Sequence, residues 1–296
     1  METPSPGDTW LEVALNGPWT RKHQPRIPVT IAEIVEDGIA CVEAGAAIVH
    51  AHAYDEATGQ QTQNADVYAR IIDGIRSKVD AIVYPTIPAA GLGSQHMQNA
   101  QQRFAHIEEL ARRGLIEWAA VDPGSTNFAL YDDLLEDKSG FVYLNPEEDI
   151  RHGLKLARRF GLHPSYAIYE PGFMRLGASL HWRESCPAPI YRLMFSSGYT
   201  FGFPPEDYAL TAYLKLLDQV APGAKWMLAG LQVDVTPMIP RAIVEGGHVR
   251  VGLEDAPWGS DKINVRWVEE AALRIENAGG KLATAQEIRA ALSPDE

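Results

Sequence analysis

The chain has 296 residues, 46% apolar and 22% charged, with 39 acidic against 26 basic residues, a formal net charge of −13 and two cysteines. That length suits one large α/β domain, while the acidic balance disfavours nucleic-acid binding, which draws most of its affinity from clustered Lys and Arg. No run approaches the roughly 18 apolar residues of a membrane helix, the N-terminus METPSPGDTW lacks the basic and apolar regions of a signal peptide, and Cys41 and Cys186 suggest neither a disulfide framework nor a zinc knuckle, so a cytoplasmic protein is expected.

The first predicted strand is 11-LEVALNG-17, followed by a helix opened by Thr30 and Glu33 as a capping box. The second strand, 46-AAIVHAHAY-54, leads to a helix over 65–79, and the third, over 81–87, to a helix over 98–113. Further strands are expected at 116–122, 166–170, 190–197, 225–231 and 248–254, with helices at 147–160, 205–220, 235–245 and 262–279. The helix after the fifth strand is ill defined, because 178-ASLHWRESCPAPI-190 is broken by prolines. Eight apolar strands alternating with helices predict a parallel sheet closed on itself, a (β/α)₈ TIM barrel forming a single domain over 1–296. An open doubly wound sheet is the alternative, but 16-NGPWTRKHQPRIP-28 carries no GxGxxG turn.

His50 and His52 lie two apart, so their side chains share one side of the sheet, at the strand's C-terminal end and therefore at the active-site mouth of a barrel. The flanking 46-AAIV-49 is apolar, and inward histidines there need a ligand or good hydrogen-bond partners. Barrel closure brings the eighth strand within one strand of the second, so Glu254 can join them. Two imidazoles and one carboxylate with an open position form a catalytic zinc arrangement. Without the histidines, Glu254 and Asp255 would read as an acidic pair at a helix N-terminus. Arg250 shares the face of Glu254 by alternation and is expected to pair with Asp255, or else to bind a structural carboxylate near the barrel floor.

The runs 44-AGAAIVHAHAYDEATG-59 and 246-GGHVRVGLED-255, with 28-PVTIAEI-34 and 282-LATAQEIRAAL-292, resemble the β-keto acid cleavage enzymes, among them 3-keto-5-aminohexanoate cleavage enzyme, over nearly the whole chain. The resemblance implies a zinc-dependent barrel that converts a β-keto acid and acetyl-CoA into acetoacetate and a new acyl-CoA. It implies His50, His52 and Glu254 as metal ligands, Asp255 as the general base, Arg250 as the residue that orients it, Thr86 as a hydroxyl near the substrate, and a homotetramer.

This chain departs from the family's pattern at two places. Tyr54 stands where many members carry arginine. In 164-PSYAIYEPG-172 the family commonly reads Pro-Glu-x-Glu-x-Phe-Asp-x-Gly, so Ala167 replaces an active-site acid, and Glu170 is the carboxylate nearest to hand, on the other face of the strand by strict alternation. The departures point to a divergent branch with a different substrate, and Trp19, Tyr54, Phe173 and Trp258 suggest a more apolar acyl pocket. Arg21, Lys22 and Arg26 are candidates for the CoA phosphates. The competing readings are another metal-dependent barrel, an aldolase, lyase or hydrolase, and a keto-acid-binding barrel without turnover.

Overall fold

A computed structural model describes residues 8–88 and 99–293. Its centre is a sheet of eight parallel strands, β1 Leu11–Ala14, β2 Ile48–Ala51, β3 Ile82–Pro85, β4 Trp118–Ala120, β5 His163–Ile168, β6 Ile190–Phe195, β7 Trp226–Gly230 and β8 His248–Val251. The ladder runs β3-β2-β1-β8-β7-β6-β5-β4, and β3 and β4 lie side by side at the seam of the barrel. Every residue of β1, β2, β3, β6, β7 and β8 is buried, which is why these segments read as continuous apolar runs rather than alternating ones.

The outer layer comprises α1 Ile31–Glu43, α2 Ala65–Arg76, α3 Ala100–Arg112, a short α4 Tyr131–Leu135, α5 Glu147–Phe160, α6 Pro171–Glu184, α7 Asp207–Val220, α8 Ile239–Val244, α9 Asn264–Asn277 and α10 Ala285–Leu292. Thr30 and Glu33 close the expected capping box on α1. The uncertain helix after β5 is the full-length α6: Pro171 sits at its first turn, where a missing N–H costs nothing, Ser185 ends it in a left-handed conformation, and the disruptive Pro187 and Pro189 lie beyond that end. The stretch expected as one helix over 235–245 divides into a 3₁₀ turn, Thr236–Met238, and α8. The predicted helix start at residue 98 lies outside the described residues.

Two additions were not foreseen. Asp8–Thr9 pairs with Lys281–Leu282 beside the barrel, and after β4 an antiparallel pair, Thr126–Phe128 with Phe141–Tyr143, carries α4 in its connection. Each strand is only two or three residues long, too short for a periodicity to register. No helix among the described residues is long and apolar enough to cross a membrane.

At the barrel's N-terminal end, His248 stacks on Trp10 with ring centroids 4.0 Å apart, and its Nδ1 accepts the Trp10 backbone N–H at 3.1 Å. Burial pushes the His248 imidazole down to about 3, and that of His106, on α3, to about 4. Both groups are depressed on folding, so below pH 6.5 the unfolded chain binds the protons that the folded chain refuses. Stability therefore falls as pH drops from about 6.5 towards 3, by at most about 1.4 kcal/mol per pH unit for each proton. His248→Gln, which retains an acceptor for Trp10, should flatten this acid limb when urea midpoints are compared across pH. An unchanged slope would refute the assignment.

Candidate active site

Above that floor the barrel interior is charged. Glu12 on β1, Arg250 on β8, Tyr84 on β3 and Arg192 on β6 are all buried, and the next layer towards the C-terminal mouth holds His50, His52, Glu254 and Asp255. Asn16, just past β1, pins the His52 backbone from both sides: its amide donates to the His52 carbonyl at 3.0 Å and its oxygen accepts the His52 N–H at 2.9 Å. The Gln61 side-chain oxygen lies 2.7 Å from His52 Nδ1. An acceptor there places the ring proton on Nδ1 and leaves the Nε2 lone pair facing inward.

Glu254 and Asp255 do not end the eighth strand, as alternation suggested. β8 stops at Val251, and Gly252 adopts φ +138°, where a Cβ would come within 2.2 Å of the Ala14 carbonyl oxygen. The turn that follows is closed by the Asp255 and Ala256 N–H groups on the Gly252 carbonyl at 3.1 and 2.9 Å. Strict alternation would send two consecutive acids to opposite faces. The turn aims both at Arg250.

Arg250 binds Asp255 in bidentate fashion, Nε to Oδ2 and Nη2 to Oδ1, each at 2.8 Å. Its Nη1 reaches Glu12 Oε1 at 3.0 Å and its Nη2 lies 3.1 Å from Glu254 Oε1. Glu12 also accepts the Tyr84 hydroxyl at 2.6 Å. Burial pushes the Asp255 carboxyl up while Arg250 opposes it. Burial also works against the charge of Glu254, yet Arg250 holds that carboxyl well below the usual range. His50 is pushed well below its ordinary value by burial, so its imidazole is neutral.

The Nε2 atoms of His50 and His52 face Glu254 at 3.5 and 3.4 Å. The His50 imidazole, neutral, gains no ion pair from that approach, and His50 Nδ1, His52 Nε2 and Glu254 Oε2 have no hydrogen-bond partner although buried. One donor atom from each of the three residues lies within 4.8 Å of the others. Around them, Glu12, Glu254 and Asp255 bring three carboxylates to the Arg250 guanidinium, an excess of one negative charge even when the buried Arg192 is counted. Orphaned lone pairs and that excess both fit a divalent cation held by His50, His52 and Glu254, and a nitrogen–oxygen donor set suits zinc.

The remaining predicted residues are placed as follows. Thr86 follows β3 at the mouth, buried, with its carbonyl 2.8 Å from His106 Nε2. Tyr54 donates to the carbonyls of Gly17 and Trp19 at 2.5 and 3.0 Å and so clamps the loop after β1, whose Trp19 indole N–H in turn donates to the Glu254 carbonyl at 2.7 Å. Glu170 is engaged outside the cluster: its Oε1 accepts from Thr126 Oγ1 at 3.3 Å and the Gly202 N–H at 3.1 Å, tying the strand pair after β4 to the loop after β6. Arg21 is engaged by Glu33 at 2.7 Å, whereas Lys22 and Arg26 are exposed with no ion pair among the described residues.

Beside Ala167 stands a carboxylate that the sequence did not single out. Asp122, just past β4, accepts the Ala167 N–H at 3.1 Å and the Tyr143 hydroxyl at 2.5 Å, with Arg192 at 3.7 Å. Glu12, Asp122 and Arg192 were all missed; Glu12 and Arg192 carry a signal that could have found them, each being a lone charge inside an apolar strand, in 11-LEVAL-15 and 190-IYRLMF-195, whereas Asp122 lies past the end of β4 in a run that also holds Glu117.

A family model described as beta-keto acid cleavage enzyme matches residues 8–293. Similar proteins include the 3-dehydrocarnitine:acetyl-CoA trimethylamine transferase of Rhizobium meliloti (strain 1021), 27% identical over 293 residues and covering 91% of each chain. The 3-keto-5-aminohexanoate cleavage enzyme of Fusobacterium nucleatum is 26% identical over 279 residues, 93% of each chain, and the 3-oxoadipate:acetyl-CoA acetyltransferase of Cupriavidus necator 25% identical over 287 residues, 95% of this chain and 93% of that one. Among solved structures, apo ObcA superposes with a TM-score of 0.71 at 16% identity, over 90% of this chain, which spans 65% of the ObcA chain's length. Type I 3-dehydroquinate dehydratase from Clostridium difficile superposes with a TM-score of 0.56 at 10% identity, over 92% of this chain and 94% of that one. Likeness at such identities speaks for the barrel. The match of the family model over almost the entire described chain places this protein in the beta-keto acid cleavage enzyme family.

Proposed function

We propose that this chain transfers a two-carbon unit between thioester and keto acid: a β-keto acid R–CO–CH₂–COO⁻ and acetyl-CoA become acetoacetate and R–CO–CoA. The observation that carries the reading is the buried convergence of His50, His52 and Glu254 directly beside the Arg250–Asp255 pair. Zinc held there supplies a Lewis acid that disperses enolate charge, the part of Claisen chemistry that water handles poorly.

The protein's own residues account for the proton. Asp255, buried and pushed up, is suited to take a proton from C2 of the keto acid and to return it later. Arg250 fixes both of its oxygens and prevents rotation away from the substrate. The C2 carbanion forms a bond to the acetyl carbonyl as the CoA thiolate leaves. That thiolate then attacks the original C3 carbonyl, the C2–C3 bond breaks, and the electron pair returns to C2, where Asp255 reprotonates it. Atoms balance without an oxidant or reductant. Thr86 at the end of β3 and Tyr54 through the loop it clamps complete the substrate side, and Lys22 and Arg26 are the free cations for CoA phosphates. Glu170 is a weaker candidate, since its described partners are Thr126 of the antiparallel strand pair and Gly202 of the loop after β6 rather than residues of the cluster. The homotetramer, which rests on the family resemblance, and the single domain and cytoplasmic setting, which rest on the sequence pattern, belong to the same proposal.

Acetyl-CoA labelled with ¹³C in both acetyl carbons tests the scheme. Label should appear in C3 and C4 of acetoacetate and in neither C1 nor C2. Label in the new acyl-CoA instead, or release of acetate, would point to a hydrolase or another lyase.

A further inference from the structure

Across the mouth from the metal-ligand cluster, the last inward positions of β5, β6 and β7 are Ala167, Met194 and Ala229, all buried and none charged. Over them lie Phe128, Tyr169 and Phe201, with Phe128 4.8 Å from Phe201 and 4.9 Å from Tyr169, ring centre to ring centre. Phe128 belongs to the strand pair after β4 and Phe201 to the loop after β6. Neither segment is needed to close the barrel, yet they are stitched together by the Thr200 N–H on the Ala129 carbonyl and the Tyr131 N–H on the Gly198 carbonyl, both at 3.0 Å. Loops at this end of a barrel build substrate sites.

Trp19 makes this wall continuous with the proposed catalytic cluster. It packs against the wall while its indole N–H donates to the Glu254 carbonyl at 2.7 Å, and Tyr169 packs against the wall beside Phe128 and Phe201. The carboxylates at the wall's edge are already engaged: Asp122 accepts from the Tyr143 hydroxyl and the Ala167 N–H and faces Arg192, and Glu170 accepts from Thr126 and the Gly202 N–H. Of the four aromatics expected to line an apolar acyl pocket, Trp19 is the one that packs against this wall. Tyr54 holds a loop, Phe173 lies in the barrel's main core, and Trp258 stacks edge-on against Trp19 at 5.3 Å.

We infer that this wall seats the substituent R of the β-keto acid and that, within the activity proposed above, it selects an uncharged hydrocarbon or aryl R over a charged one. Burying a charged R against alanine, methionine and ring faces costs far more than burying a phenyl group, and the two buried charges at the foot of the wall, Asp122 and Arg192, face each other at 3.7 Å. A cationic R could still gain from ring faces, so the cation is included as a competitor.

The test compares 3-oxo-5-phenylpentanoate, 3-oxoadipate and 3-dehydrocarnitine in two readouts on the metal-loaded protein: calorimetric Kd without acetyl-CoA, and kcat/KM for acetoacetate with it. The phenyl acid should exceed both charged acids by roughly 100-fold in each. Met194→Gln, close in shape, should weaken the phenyl acid by roughly tenfold, and Ala167→Glu by more. A charged probe that binds as well as the phenyl acid overturns the inference, as does absence of binding by all three. Selective binding of the phenyl acid without turnover would retire the activity and leave the wall assignment standing. Turnover of all three with equal kcat/KM would do the reverse.

Discussion

His50→Ala should lower kcat/KM for acetoacetate formation by about 10³-fold or more, because the several kcal/mol of charge stabilisation expected of a metal centre is lost with its ligand. Metal content measured after gel filtration should fall with it, since two donors, His52 and Glu254, remain of three. The variant should stay folded: its imidazole is neutral, it makes no hydrogen bond through Nδ1, and Glu254 keeps Arg250 at 3.1 Å. That separation of activity from folding is what makes the substitution informative. Wild-type turnover in a variant that no longer retains metal would sink the metal-assisted mechanism.

Arg250→Met should produce the largest loss of stability of any single change in the barrel interior. The guanidinium is 1% exposed and is shared by Glu12, Glu254 and Asp255, so its removal strands three buried carboxylates. Breaking one buried pair costs about 3–5 kcal/mol, which for a chain of this size lowers the thermal midpoint by about 10 °C or more. Adding Glu12→Gln should recover part of the loss, because the two residues share one network and their effects cannot add. The double variant has a second use. It retains Glu254 and Asp255, so turnover that stays low after stability is partly restored assigns Arg250 to holding Asp255 rather than to holding the barrel. A midpoint shift of only a degree or two in the single variant would show that the carboxylates find other partners.

The legible parts of this protein are those written in short-range pattern. Continuous apolar runs separated by amphipathic ones marked all eight barrel strands, because a parallel sheet covered on its outer face buries both sides of each strand. The two-residue spacing of His50 and His52 put both imidazoles on one side, because side-chain direction alternates within a single strand and needs no knowledge of the rest of the fold. Thr30 and Glu33 announced the start of α1 for the same reason, as a capping box is complete within four residues. The ends of elements were less legible. Prolines within the α6 region looked disruptive until the αL conformation at Ser185 placed two of them beyond the helix.

What the chain alone determined is the barrel, the histidine pair and the family to which its motifs belong. What only the tertiary structure decided is where the carboxylates point. Glu254 and Asp255 reach the same guanidinium because Gly252, packed against Ala14, turns the chain after β8, and a turn held by contact with another strand leaves no local signature. Glu12 becomes part of the site only through Arg250, 238 residues away in sequence. Asp122 takes the place beside Ala167 that Glu170 was expected to fill, because β4 and β5 are neighbours in the barrel and adjacency across strands is invisible to spacing along one of them.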